Sequence, residues 1–327
     1  MILNKIFISV IIPTYKRPEL LLKILENLKK NFLNFKNFEV IICDSSNSNN
    51  TKIKIDAFKS YNDFFKITYL NINKNLHSLK RNVGIKAASG DYVVLLDDDC
   101  LPSDNFVKDY NLIFKKNFSL KSVFCGSVIY PNALKKNNFV KYRSSRHFVI
   151  NNSNVCKESL GPEHIVTMNM GFRKNNNFLR TSLFNQEFND YGFEDFDFGF
   201  RLKKNNYRIC KSKPLVIHND FREFNLYLKK IYYLGFNSMK FLIKLNPTAA
   251  KCNNFYRLEY NFFVQFFLNF NIFKFLLIAI KQISIFLETR IFYLPLIYKV
   301  GIAASYLEGC YDKKHHLNKN NKNTWYK

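Results

Sequence analysis

The N-terminal third alternates short apolar blocks with apolar stripes. Ile6 to Ile12, IFISVII, is rich in β-branched residues and nearly continuous. Such a run predicts a strand buried on both faces, as in a parallel sheet. Pro13-Thr14-Tyr15 is expected to break it. Pro18 then opens PELLLKILENL, with Leu and Ile at helical spacing and Pro near the first helical position. Phe38 to Cys43 reads as a second strand ending at Asp44. A helical stretch, then Phe65 to Leu70, follow as helix and third strand. Ser78 to Ala88 is expected to be helical and closed by Gly90 at a C-cap. Tyr92 to Leu96 is a fourth strand. This β-α-β-α-β-α-β order predicts a doubly wound α/β sheet. Ligands bind such sheets outside the carboxyl ends of the strands. Here those ends are Pro13–Arg17, Asp44–Asn47 and Asp97–Asp99.

From about residue 104 to 220 the pattern loosens. A helix is expected near 104–116 and a strand at Ser122–Tyr130. An Asn-rich loop is expected around 150–160. GFEDFDFGFRL, at 192–202, opens a helix with Phe196 and Phe200 as its core face. Tyr207–Cys210 and Pro214–Ile217 read as two short strands. Beyond about 225 the acids thin out, and Phe, Leu, Ile and Tyr stretches carry intermittent Lys. The longest uncharged run there, Tyr260 to Phe273, has 14 residues. A membrane span needs roughly 17–25 mostly apolar residues. The expectation is amphipathic helices, packed or lying in a membrane interface, with Lys at the polar boundary. The expected division is a catalytic part over 1–225, with halves at about 1–103 and 104–225, and a helical region over 226–327.

Composition changes the picture modestly. Hydrophobic residues make up 47% of the 327, ample for a large core. The net charge is +25. That admits an anionic membrane surface or an anionic small substrate. No compact basic run with interleaved aromatics suggests nucleic acid. The seven cysteines are scattered without a CxxC pair, against a zinc site or a disulfide framework. A reducing cytosol is the expected compartment. The N-terminal apolar run is too short for a signal peptide.

Three features carry chemistry. Asp97, Asp98 and Asp99 follow the apolar fourth strand. Adjacent acids repel, and a hard cation such as Mg²⁺ or Mn²⁺ relieves that. Positions i and i+2 of an extended chain share a face, so Asp97 and Asp99 are expected to address one ligand and Asp98 to point elsewhere. The plainer alternative is an acidic turn leading into the next helix. Glu194 and Asp195 stand at a helix start, which favours negative charge. A carboxylate there can be a general base. His218 follows an apolar run and is either a metal ligand or a structural residue.

The order of motifs resembles the inverting family 2 glycosyltransferases, which share the GT-A fold. The resemblance covers about residues 6–245. It rests on VIIPTYKRPELL at 10–21, VIICDSSNS at 40–48, NVGIKAASGDYVVLLDDDC at 82–100, MNMGFRKN at 168–175, GFEDFDFGFRL at 192–202, and His218. The 168–173 and 192–202 segments together resemble a chondroitin-polymerase-like subgroup with a GxEDxD helix. About the last 80 residues match no named pattern, and their apolar, basic composition alone suggests a helical C-terminal extension, packed on the domain or associated with a membrane. For the rest, the resemblance implies a GT-A-type doubly wound mixed sheet with a Rossmann-like nucleotide half.

It also implies roles. Asp99 and Asp97 hold Mn²⁺ or Mg²⁺ on the diphosphate of a nucleotide-sugar donor, with Asp97 nearer the ribose. His218 completes the metal site, and Asp98 supports the ribose or a neighbouring amide. Pro13, Thr14, Tyr15 and Arg17 cradle the nucleoside, and Tyr15 is placed to stack on the base. Asp44 accepts from base or ribose, and Arg81 and Asn82 contact the nucleotide. Asp195 is favoured as the base, with Glu194 holding the acceptor hydroxyl, and exchange of the two roles is the alternative. The acceptor is a glycan or lipid-linked oligosaccharide, met peripherally at the cytoplasmic face of the inner membrane. Tyr191-Gly192-Phe193 departs from the pattern before the acidic pair, which puts the acceptor pocket in doubt. The competing readings are a sugar nucleotidyltransferase and a non-enzymatic membrane-surface protein. The first expects a Gly-rich loop after the first strand, and PTYKRPE has no glycine. The second gives the two acid clusters no purpose.

Overall fold

The computed structural model describes residues 6–61, 63–117, 121–152, 160–189, 191–219, 223–290 and 292–316. In chain order the elements are β1 (Ile8–Thr14), α1 (Pro18–Asn34), β2 (Phe38–Asp44), α2 (Asn50–Ser60), β3 (Ile67–Asn71), α3 (His77–Ala87), β4 (Tyr92–Leu96), β5 (Cys100–Pro102) and α4 (Phe106–Lys116). There follow β6 (Ser122–Ile129), α5 (Asn138–Ser145), α6 (Phe148–Asn151), β7 (Asn169–Arg173), α7 (Asn176–Thr181), α8 (Glu194–Lys204) and β8 (Arg208–His218). The last are α9 (Phe224–Tyr233), α10 (Met239–Leu245), α11 (Pro247–Cys252), α12 (Asn254–Glu259), α13 (Phe262–Phe267), α14 (Asn271–Arg290) and α15 (Pro295–Lys314).

The chain forms two compact units. The first comprises Met1–Asn132, Arg146–Gln186 and Phe198–Asp220; the second comprises Ala133–Ser145, Glu187–Asp197 and Phe221–Lys327. A single cut near residue 225 does not reproduce that division, because two inner segments group with the C-terminal helices.

The first unit holds one eight-stranded sheet in the order β3-β2-β1-β4-β7-β6-β8-β5. β3, β2, β1 and β4 run parallel. β7 is antiparallel to both β4 and β6, so the sheet is mixed as expected. Every residue of β1, β2 and β4 is buried, which accounts for their unbroken apolar runs. α1 turns Leu21, Ile24, Leu25 and Leu28 inward at helical spacing. Each such side chain contributes about 1.5–3 kcal/mol by leaving water. Asn31 of the same helix is buried among them. It donates to Ser103 O at 2.9 Å and accepts from Val107 N at 3.0 Å. That amide caps α4 and fixes the segment just after β5.

Several local expectations change. β1 continues through Pro13 and Thr14. Its pairing with β4 ends at Ile11, so Pro13 lies where one edge is already free, a place proline tolerates. Gly90 does not cap α3, whose C-cap is Ala88. A Cβ on Gly90 would come within 2.6 Å of Phe7 O, so glycine is needed there for close approach. Tyr207–Cys210 and Pro214–Ile217 belong to one strand, β8. The β6 pairing jumps from Cys125↔Lys211 to Ser127↔Leu215, a bulge that takes Pro214 out of the ladder. The core face of α8 is Phe198 and Leu202, not Phe196 and Phe200. Phe198 stacks on Phe184 at 4.0 Å. Most of the Asn-rich loop and Asp220 lie outside the described residues.

The second unit is helical. α15 is buried along most of its length and carries acids on its packed face. Lys274 pairs with Asp312 at 2.7 Å, Lys281 with Glu308, and Lys313 with Glu259. Tyr306 donates to Glu259 at 2.7 Å and Tyr232 to Asp312 at 2.6 Å. Lys274 and Lys281 thus turn inward rather than to a solvent boundary. Among the described residues no helix is long and apolar enough to cross a membrane.

Candidate active site

The parallel register brings strand ends together. Thr14 pairs with Asp44, and Asp44 with Asn71. Ile11 pairs with Leu95, so Thr14 and Asp98 come level three residues further on. Thr14 Oγ1 donates to Asp98 Oδ2 at 2.7 Å. Residues 97–99 form a turn, closed by Cys100 N donating to Asp97 O at 3.1 Å. The turn removes the i, i+2 alternation expected of an extended chain. Asp97 accepts from Arg81 Nη2 at 3.1 Å. Asp98 and Asp99 instead share one cation: Arg17 Nη1 lies 3.3 Å from Asp98 Oδ1 and 2.8 Å from Asp99 Oδ2.

His218 arrives from 119 residues downstream by strand pairing. β5 runs antiparallel to β8 with Cys100 opposite His218. Asn219 N donates to Asp99 O at 2.7 Å and completes the clasp. His218 Nε2 stands 3.5 Å from Asp99 Oδ1. Its other nitrogen, Nδ1, is buried without a hydrogen-bond partner. The ring meets Tyr130 edge to face at 5.4 Å.

Charges here are strongly perturbed. Burial first, then the charge of Asp99, push the Asp98 carboxyl up to about 6; Arg17 and Thr14 limit the rise. Burial also acts to raise Asp99. The hydrogen bond and electrostatic pull of His218, then Arg17, outweigh it and hold Asp99 well below the usual carboxylate range. Asp99, Cys100 and His218 offer ligand atoms within 4.8 Å of one another. Burial and the neighbouring carboxylates push the Cys100 thiol well above its ordinary value, so it stays protonated and is a poor ligand. The usable donors are carboxylate oxygen and imidazole nitrogen, a mixed set that suits Mn²⁺ better than Mg²⁺, whose ligands are oxygen.

The nucleoside-side residues sort less evenly. Tyr15 is half-buried, with Lys16 Nζ 5.2 Å and Lys80 Nζ 6.0 Å from its ring centre. Lys16 adopts φ 55°, a strained value for a non-glycine residue, and its N–H donates to Ser46 Oγ at 2.7 Å. Asp44 is buried and accepts from Ser46 N at 2.8 Å, Ser46 Oγ at 2.6 Å and Tyr69 OH at 2.8 Å. Asn82 exchanges two hydrogen bonds with the Phe184 backbone, at 2.8 and 2.9 Å. It holds protein, not an open ligand position. Arg81 packs its guanidinium 5.4 Å from the centre of the Phe184 ring.

Lys80 is the residue that sequence reasoning missed. It is 1% exposed, and Nζ donates to Thr14 O at 3.1 Å and Asn75 Oδ1 at 2.9 Å. Burial pulls its amine down to about 8, against the upward pull of Asp98. α3 buries Ser78, Lys80, Arg81 and Asn82, a polar inward face that only the structure reveals.

Glu194 and Asp195 belong to the second unit. Gly192 has φ 102° and Phe193 φ 68°, two left-handed residues that turn the chain into α8. Glu194 Oε2 accepts from Gly192 N at 2.9 Å and so closes that turn. A Cβ on Gly192 would also strike Leu234. Asp197 is buried and accepts from Asn246 Nδ2 at 2.9 Å, tying the start of α8 to α11.

The family model for glycosyl transferase family 2 matches residues 9–232. The chain belongs to that family. It is a glycosyltransferase, which takes a sugar from a nucleotide-diphosphate donor to a glycan or lipid acceptor, and its sheet is the GT-A-like α/β fold of these enzymes. The chain is similar to a GalNAc(5)-diNAcBac-PP-undecaprenol beta-1,3-glucosyltransferase of Campylobacter jejuni. The two are 28% identical over 243 residues, 70% of this chain and 67% of that protein. A glycosyltransferase of Streptococcus pneumoniae, GlyG, is 23% identical over 165 residues, half of each chain. The fold is also similar to a mannosyltransferase of Pyrobaculum calidifontis solved with GDP-Man and Mn²⁺. That likeness has a TM-score of 0.61 at 14% identity, over 97% of this chain and 89% of that one.

Proposed function

We propose that this family 2 enzyme is metal-dependent and inverting, uses a UDP-sugar, and builds cell-surface polysaccharide on a glycan or lipid-linked acceptor. The observation that carries the donor site is the acidic turn held jointly by Thr14, Arg17 and His218. Asp99 and His218, with Asp97, would hold Mn²⁺ or Mg²⁺. The bound ion would stabilise the negative charge of the departing nucleoside diphosphate. Arg17, Lys80 and Arg81 add fixed positive charge where that leaving group collects its own. Pro13, Thr14, Tyr15 and Asp44 form the nucleoside side, and Asp98 orients Thr14. Asp195 takes the proton from the acceptor hydroxyl as it attacks the anomeric carbon from the opposite face. Glu194 orders the turn beside it.

We read GFEDFD at 192–197 as the GxEDxD helix of the chondroitin-polymerase-like subgroup. The donor half is about residues 1–103 and the acceptor half about 104–225, although 133–145 and 187–197 group with the helical unit. A lipid-linked acceptor is supported by the Campylobacter relative, whose name gives an undecaprenol-diphosphate carrier. Such a carrier suits peripheral work at the cytoplasmic face of a membrane.

The test is calorimetric titration of UDP and GDP with and without Mn²⁺, in wild type and Asp99→Ala. Binding is expected to strengthen at least about tenfold with the ion in wild type, and not in the variant. Binding indifferent to both the ion and the substitution overturns the metal assignment.

A further inference from the structure

α14 is packed the wrong way round for water. Its two lysines, Lys274 and Lys281, turn inward to Asp312 and Glu308 of α15. Its outward face carries Ile272, Phe275, Leu276, Ile283 and Phe286, with Ile272 78% and Phe275 70% exposed. Ile272 lies three and four residues before Phe275 and Leu276, Leu276 seven before Ile283, and Ile283 three before Phe286, so they form one stripe. Among the exposed residues of α14 the only charge is Arg290, at its end. α13 and the turn after it continue the pattern. Phe262, Phe263, Phe266, Phe267 and Phe270 are all exposed. Phe267 stacks on Phe273 at 5.6 Å, which joins α13 to the first turn of α14. Beyond α14, Phe292, Leu294, Leu296 and Val300 are exposed around Lys299. An exposed apolar face of this extent marks a binding surface.

The charge around it selects the partner. From Phe224 to His316 there are twelve Lys and Arg and four Asp and Glu. None of those four acids is exposed, whereas Lys240, Lys244, Arg257, Arg290, Lys299 and Lys314 are. Within 224–316 the exposed charges beside these aromatic and aliphatic side chains are thus all cations, and Glu223, close enough to act on Glu288, is the exposed acid at the border. A second copy of this chain would bring the same positive charge against itself. A lipid bilayer with anionic headgroups satisfies both features at once.

We propose that α13, α14 and the turn into α15 lie in the plane of an anionic bilayer surface, with the Phe275 and Phe286 side of α14 among the acyl chains. α14 has 20 residues and a length of about 30 Å. It lies along the surface rather than through it, because its inward face carries the ion pairs with α15. The inference deepens the lipid-linked reading of the acceptor, and it can fail alone, because it concerns the second unit and needs no donor.

The experiment is vesicle co-sedimentation of the full chain, with phosphatidylcholine alone and with added phosphatidylglycerol. The variants are Phe275→Ser/Ile283→Ser/Phe286→Ser and Arg290→Glu/Lys299→Glu. The apolar triple change is expected to weaken binding to anionic vesicles about tenfold or more. The charge reversal is expected to weaken it on anionic vesicles only. These side chains are exposed, so circular dichroism and the melting temperature should stay at wild-type values. A third variant, Phe286→Trp, should show blue-shifted emission on vesicles and quenching by brominated acyl chains. Unchanged partition of the triple variant, or no quenching, overturns the proposal. So does a triple variant that loses a homodimer by light scattering while still binding vesicles, since the face would then join copies. UDP binding is read separately in solution, so loss of vesicle binding leaves the catalytic reading standing.

Discussion

Arg17 bridges Asp98 and Asp99 with a single guanidinium nitrogen, at 3.3 and 2.8 Å. One side chain from the start of α1 is thus the shared counter-charge of the acidic turn. Arg17→Ala leaves two largely buried carboxylates facing each other. Stability should fall by about 1–3 kcal/mol in chelator. Saturating Mn²⁺ should return part of it, because the ion supplies the missing positive charge. Thermal unfolding of both proteins, with chelator and with Mn²⁺, reads this. An equal loss in both conditions counts against a shared role for the arginine and the ion.

Glu39 gives an acid-side prediction far from the acidic turn. It is buried and accepts from Ser89 N at 2.8 Å, Ser89 Oγ at 2.5 Å and Ser9 Oγ at 2.8 Å. Burial acts to raise its pKa. The Ser89 hydrogen bonds, then Ser9 and Lys66, outweigh it and leave the value below the ordinary 4.5. The folded state therefore binds this proton less well than the unfolded state. Its contribution is present above about pH 4.5 and is lost as pH falls through the folded value. Glu39→Gln should lower stability at neutral pH by about 1–3 kcal/mol. It should also flatten the acid limb below about pH 4.5, read by urea unfolding across that range.

Lys80 gives a dependence of the same sign in an alkaline window. Burial lowers its pKa from 10.5 to about 8. Between those values the unfolded chain holds the proton and the folded chain has released it. Unfolding free energy from this group therefore rises with pH across that window. Lys80→Met removes the rise and also the donors to Thr14 O and Asn75. The difference in stability between wild type and variant, measured from pH 7.5 to 9.5, should change in that direction. A difference that is flat with pH excludes a buried, titrating amine at this position.

The donor-side framework was legible because it rests on periodicity. β1, β2 and β4 are buried on both faces, so their apolar runs announce them, and the acids after β4 follow from the topology. The acidic turn was only half legible. Alternation set Asp98 apart from Asp99, but a turn obeys no alternation, and the two share Arg17. His218 reaches Asp99 through β5, a strand of three residues, too short to carry a period. Lys80 and Glu39 were missed for one reason. A buried charge is specified by partners distant in sequence, such as Thr14 for Lys80 and Ser89 for Glu39. The inverted packing of α14 escaped for a related reason. Its lysines look solvated until the acids of α15 are placed against them.

The choice between Glu194 and Asp195 can be put to a direct test. Glu194 already has a structural task, accepting from Gly192 N at 2.9 Å in a turn with two left-handed residues. A carboxylate that holds strained backbone is badly placed to change charge during turnover. Asp195 is one residue further into the helix start, where the N-terminal dipole favours its negative charge. Asp195→Asn keeps size and an acceptor oxygen but takes no proton. Transfer should fall about 10²–10⁴-fold. Donor affinity, measured by UDP titration, should stay within about twofold, because the substitution leaves the residues assigned to the donor untouched. Glu194→Gln should instead lower the melting temperature and affect transfer less. If the asparagine variant keeps its turnover and the glutamine variant loses it, the base is Glu194 and the turn of Gly192 and Phe193 is what aims it.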